Sequence, residues 1–176
     1  LAGAGAVLSI GSYGIIHPAI AISHSNNPDA EGMGALYSFA FESQLNPFGF
    51  FGNISTTSGN YTDLASIGGL RPSPFRMQLG TTLGLEEYGS LNASYIQSRE
   101  LTRARARLAN LSYTRSFGNG LTLGTTGFYD IGRSNLIAQA FASMSIEGLL
   151  GNLSTQQGES TSIHQASLTK PANPDG

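Results

Sequence analysis

The chain has 176 residues, of which 40% are hydrophobic and only 11% charged, with a net charge of −2. Charged residues make up about 25% of an ordinary soluble domain, so Ser, Thr, Asn, Gln and Gly must supply most of the polar surface here. The weak charge excludes a global pull toward nucleic acid, and the absence of cysteine excludes a disulfide framework or a thiolate metal site.

Alternating runs bounded by Gly, Pro, Asn or Asp predict about eleven strands. They fall near residues 2–11, 15–25, 34–44, 48–58, 75–85, 89–98, 105–117, 121–130, 135–146, 149–157 and 161–170. In the run 34–44, Ala35, Tyr37, Phe39 and Phe41 share one parity, and Ser38 and Glu42 the other. Side chains of a strand point alternately to opposite faces, so a period of two writes one apolar and one polar surface. The run 75–85 places Phe75, Met77, Leu79, Leu83 and Leu85 on one side and Arg76, Gln78 and Thr82 on the other. Next come Leu91, Ala93 and Tyr95 against Ser90, Asn92 and Ser94.

The stretch Leu108–Asp130 carries the pattern through a hairpin. Ala109, Leu111, Tyr113 and Phe117 alternate with Asn110, Ser112, Thr114 and Ser116, and the chain then turns on Gly118-Asn119-Gly120. Glycine and asparagine tolerate the positive φ that tight hairpins need. Arg115 breaks the rule by sharing the parity of Leu111 and Tyr113. It lies beside the turn, where an arginine on a lipid face costs only about 0–1 kcal/mol. The run 135–146 resumes the pattern with Leu136, Ala138, Ala140, Ala142 and Met144.

No run approaches the roughly 18 apolar residues of a spanning helix, and no helix is predicted. Each strand has about the length that crosses a bilayer at a tilt of ~45°. The connections at 12–14, 44–47, 86–88, 118–120 and 147–148 are tight, whereas 26–33, 59–74 and 99–103 are longer. Tight turns on one rim and longer loops on the other fit an up-and-down antiparallel meander, a segment of a transmembrane β-barrel, with the longer loops extracellular.

Chemistry-bearing motifs are sparse. The triplets at Asn53, Asn60, Asn92, Asn110 and Asn152 match glycosylation acceptors, but Asn and Ser or Thr two apart also share the polar face of one strand. His17, His24 and His164 are isolated, without the spacing of a zinc site. No serine occupies a nucleophile elbow and no carboxylate pair is anchored by context. The expectation is a non-enzyme with no cofactor, no metal and no nucleic-acid partner. Arg99, Arg103, Arg105 and Arg107 concentrate four of the nine basic residues. They read as a solvated loop, a constriction lining or a contact for anionic glycolipid.

With the meander in place, the later part of the chain resembles a known family. Tyr88-Gly89-Ser90-Leu91 followed by Ala93-Ser94-Tyr95 resembles a strand of fimbrial outer-membrane usher proteins. Ala109–Phe117, Gly120-Leu121-Thr122-Leu123 and Phe128-Tyr129 resemble the paired strands that follow it, and Gly158–Gly176 a polar strand leading to an Asp-Gly turn. The resemblance covers roughly residues 70–176, and the earlier part is compatible in pattern. It implies a pore in the outer membrane of a Gram-negative bacterium that translocates pilus subunits delivered by a periplasmic chaperone. Residues 1–176 would then be part of the pore wall, under half of the barrel, with no separate plug or periplasmic domain visible.

In that setting Phe75, Met77, Leu79, Leu91, Tyr95, Leu111 and Tyr113 are candidates to face outer-membrane lipid. Arg76, Asn92, Ser94, Asn110 and Ser112 are candidates to face the lumen. The alternative is a secreted or surface β-rich adhesin, built as a sandwich or solenoid, or another outer-membrane barrel such as a porin or autotransporter. A soluble sandwich must cover its apolar stripe with a second sheet, and a solenoid needs a fixed repeat. Porins concentrate charge on the lumen wall, where this chain offers uncharged polar groups.

Overall fold

The computed structural model describes residues 1–25, 31–63, 73–99, 105–146 and 149–170. These form an all-β, antiparallel meander. Its strands are β1 (Ala2–Gly5), β2 (Leu8–Ser9), β3 (Ile15–Ser25), β4 (Gly32–Leu45), β5 (Phe48–Gly59) and β6 (Phe75–Gly84). They continue as β7 (Ser90–Arg99), β8 (Ala106–Ser116), β9 (Leu121–Asp130), β10 (Asn135–Ile146), β11 (Leu149–Gln157) and β12 (Ser162–Thr169). The twelve strands belong to one sheet, in which order follows sequence from β1 through β3 to β12 and β2 pairs with β3.

Ten of the expected strands correspond one to one with observed strands, but the run 2–11 is broken into β1 and β2. The register explains the break. Gly5 pairs with Ala19 and Leu8 with Ile16, so the ladder reaches Pro18 between them. Ala6 N–H donates to the Pro18 carbonyl, and proline has no N–H to return. Met33, expected in a loop, lies within β4. Gly32 belongs to that strand as well, and residues 26–30, the middle of the 59–74 connection, residues 100–104, the turn 147–148 and the terminal Asp-Gly lie outside the described residues.

The chain divides into two compact units, Leu1–Thr81 with Ser94–Leu108, and Thr82–Ala93 with Ala109–Gly176. In the first, Ile20 pairs with Tyr37 and Ile22 with Ala35, while Phe39 pairs with Ile54. In the second, Leu123 pairs with Ala142 and Ala142 with Leu153. Directly opposed residues of an antiparallel pair share a face, so each unit carries a continuous apolar surface.

Two of the tight connections are single 3-10 turns, at Gly11–Tyr13 and Glu86–Tyr88. Both are closed by a glycine at positive φ, Gly14 (138°) and Gly89 (101°). A Cβ at Gly14 would strike the Glu42 carbonyl, and one at Gly89 the Thr114 carbonyl. The turns therefore seat against the neighbouring strand only with glycine at that position.

Candidate functional site: an uncovered apolar face and its polar reverse

Among the described residues, almost nothing is buried in the manner of a soluble core. Tyr61 is the one buried apolar residue among those described. The large apolar side chains of the strands remain open: Ile22 is 46% exposed, Tyr37 49%, Leu111 54% and Leu136 55%. Isolated exposed apolar residues are ordinary, but a contiguous face of them marks an interaction surface.

Side-chain contacts tie the strand parities together. Leu79 lies beside Gly52, which is opposite Phe41. The parity of Phe75, Met77 and Leu79 is therefore that of Tyr37, Phe39 and Phe41. Phe75, Met77 and Leu79 are half-buried, and Arg76 on the reverse parity is exposed. Thr82 Oγ1 donates to Asn92 Oδ1 at 2.8 Å, which sets Asn92 and Ser94 on the Arg76 parity of their strand pair. Leu91 and Tyr95 take the opposite parity. Ser116 Oγ lies 3.0 Å from Thr122 Oγ1, and Asn110 and Ser112 share the parity of Ser116. Leu111 and Tyr113 occupy the other side, with Leu123 and Ala142. Within β6–β7, and separately within β8–β9, members of the two candidate sets thus lie on opposite parities.

Three phenylalanines show what alternation alone does not reveal. The Phe41 ring covers Gly52, Phe51 covers Gly80 and Phe141 covers Gly124. A ring laid over a cross-strand glycine shields backbone that would otherwise be bare and pins the register. Phe51 does this on the polar side of the first unit, beside Asn53 and Ser55, and Phe141 on the polar side of the second, beside Gln139 and Ser143. The only sequence signal would have been a Phe opposite a Gly once the pairing was known.

The chain after β5 also returns across the polar side. The backbone of Asn60 and Tyr61 packs on Gly34, where a Cβ would collide with it, and Thr62 N–H donates to Ser23 Oγ at 2.9 Å. Asn60 Nδ2 donates to the Glu31 carbonyl. Ser23 is buried beneath this strap. Burial, with the nearby Asp63 carboxylate, pushes the Tyr61 hydroxyl above its ordinary pKa of 10.0. Asn60 is thus engaged in a strap contact, and Asn53, Asn92, Asn110 and Asn152 lie within strands.

Arg115, the exception to the alternation, is held by aromatic rings. Its guanidinium lies 4.7 Å from the centroid of Phe117 and 5.5 Å from that of Tyr88. Tyr113 Oη donates to the Tyr88 carbonyl and fastens the turn to the same spot. A cation over the faces of aromatic rings is attracted by their quadrupoles, which lets Arg115 occupy an apolar parity beside the turn.

A second basic group sits at the other end of its strands. Thr56, Thr57, Pro74, Phe75, Gln97, Arg99 and Arg105 line an open recess of about 470 Å³. Ser73 Oγ donates to the Arg99 carbonyl at 2.7 Å and fixes one wall. His164 hydrogen-bonds through both ring nitrogens, Nδ1 to Thr155 Oγ1 at 2.9 Å and Nε2 to Ser162 Oγ at 3.1 Å.

No protein-family model matches the chain, and no curated protein matches it in sequence. Among solved structures, the P pilus usher (PapC) translocation pore matches over 98% of this chain and 38% of its own length. The chain therefore spans less than half of that pore protein. At 16% identity and a TM-score of 0.57, the antiparallel meander described here is similar in fold to the translocation pore of a pilus usher.

Proposed function

We propose that this chain is part of the wall of an outer-membrane usher-type pore, through which chaperone-delivered pilus subunits pass and are assembled. The observation that carries the reading is the uncovered apolar face, on a meander similar in fold to a pilus usher pore. Lipid is the natural cover for such a face. A strand crossing a bilayer must have every backbone group paired, and an antiparallel meander provides those pairs laterally. On this reading Phe75, Met77, Leu79, Leu91, Tyr95, Leu111 and Tyr113 contact outer-membrane lipid. Arg76, Asn92, Ser94, Asn110 and Ser112 line the passage.

The polar face suits transport without chemistry. Its Ser, Thr, Asn and Gln side chains offer hydrogen bonds to a moving protein surface but no strong potential in which it would be trapped. Among the described residues, β1 and β12 are the end strands of the sheet. An adhesin sandwich would need a second sheet over the apolar face, and the described residues form one sheet.

Single cysteines placed along β6–β8 of the full-length protein in intact outer membranes test the assignment. A membrane-impermeant thiol reagent is expected to label positions 76, 92 and 112 and to spare 77, 91 and 111. Equal labelling of both parities would overturn the lipid and lumen assignment. Cells lacking the gene are expected to lose surface fibres, and wild-type fibre assembly in them would sink the usher reading.

A further inference from the structure

We infer that the recess beside Arg99 and Arg105 binds the phosphate group of a phosphorylated glycolipid in the outer leaflet. The inference rests on the outer-membrane reading above and adds a ligand that reading does not supply. Arg99, Gln97 and Phe75 share the parity of Leu79 and Tyr95, so the recess opens on the apolar side rather than on the polar passage. That placement removes Arg99 from a constriction lining.

Arg99, Arg105 and Arg107 are exposed, and no carboxylate pairs with them among the described residues. Among the described residues, Arg99 and Arg105 line the recess with unpaired guanidinium groups, and Arg107 follows two residues after Arg105; at the margin of an apolar face they present both halves of an amphiphile's complement. Guanidinium forks match phosphate oxygens in bidentate geometry. The Thr56 hydroxyl already donates to the Pro74 carbonyl at 3.1 Å, and the Gln97 amide oxygen accepts from Tyr95 Oη at 3.0 Å, which leaves the Thr56 lone pairs and the Gln97 amide NH2 to meet sugar hydroxyls. Acyl chains attached to that headgroup would run down over Phe75, Tyr95 and Ile54, on the face that bears them. A free anion would use the arginines but not the apolar surface below, so a lipid-borne phosphate is the better fit.

The test uses full-length protein extracted from outer membranes and reconstituted in nanodiscs. Binding of a bis-phosphorylated glycolipid is compared with binding of its dephosphorylated form and of inorganic phosphate alone. Wild-type protein is expected to retain the phosphorylated lipid through purification, by native mass spectrometry and phosphate analysis. The triple variant R99Q/R105Q/R107Q should bind it on the order of a hundredfold more weakly. Arg133→Gln serves as the control, because Arg133 is already beside Asp130 at 3.8 Å; it should bind as wild type does. Equal affinity of wild type and triple variant overturns the site, as does equal affinity for the dephosphorylated lipid. Tight binding of inorganic phosphate alone overturns the lipid as its source. Fractionation and surface-fibre assembly are scored on the same cells. A protein that is in the outer membrane and supports fibres but fails these tests refutes only the glycolipid site, whereas absence from the outer membrane refutes the pore reading itself.

Discussion

The turns Ile10–Gly14 and Leu85–Gly89 are the same device built twice. Ile10 N–H donates to the Gly14 carbonyl and Leu85 N–H to the Gly89 carbonyl, each at 2.8 Å. Tyr13 and Tyr88 N–H close the inner loop on the Ile10 and Leu85 carbonyls, each at 2.9 Å. Both turns have positive φ at their second residue, 55° at Gly11 and 51° at Glu86. Yet only the second turn has an arginine over its tyrosine and a tyrosine hydroxyl bonded to its backbone. The first is permitted by glycine, and the second holds a non-glycine residue in a left-handed conformation and has tertiary contacts that anchor it. The lesson is that one backbone geometry can rest on local conformational freedom or on imposed contacts, and mutation separates the two.

The largest expected effect comes from breaking what the turns share. Gly89→Ala adds backbone strain of ~1–2 kcal/mol at positive φ and an overpacking cost of ~1–3 kcal/mol against the Thr114 carbonyl. Gly14→Ala should cost a similar amount. Thermal melting of the full-length protein in detergent checks both, and a loss confined to one turn would show that the two are not equivalent. A smaller effect separates them. Arg115→Gln should remove about 0.5–1 kcal/mol of cation–π attraction and release the second turn alone. Hydrogen exchange at residues 86–89 should accelerate while residues 11–14 stay unchanged. The smallest effect has the opposite sign. Glu86→Gly relieves the left-handed strain that Gly11 avoids, at the expense of backbone freedom in the unfolded chain, for a net gain of a few tenths to ~1 kcal/mol. If it destabilises instead, Glu86 makes a contribution that the turn geometry does not explain.

The contrast between central and edge strands follows the same logic. Every residue of β7 except Arg99 is half-buried, whereas all of β12 is exposed. In the strand order β7 has a paired neighbour on each side, whereas β12 has one. Substitutions of one chemistry should therefore cost more in β7 than in β12.

Much of this could be read from the sequence because the governing physics is local. The period of two places Phe75, Met77 and Leu79 on one side and Arg76 on the other, whatever the partner strands are. It also located β3 at Ile15–Ser25 and β9 at Leu121–Asp130 to the residue. Gly-Asn-Gly marked the hairpin at 118–120 through its tolerance of positive φ. Tertiary structure alone decided what depends on which residues face each other across strands. Pro18 interrupts the first ladder only because β3 meets β1 and β2 in that register. Phe51 and Phe141 cover glycines that lie far away in the chain, and Arg115 sits between rings contributed by two different connections. The strap at residues 60–62 needed Gly34 and Ser23 side by side before it could dock. Pairing over long sequence separations leaves no periodic trace in the chain, so these features exist only once the sheet has formed.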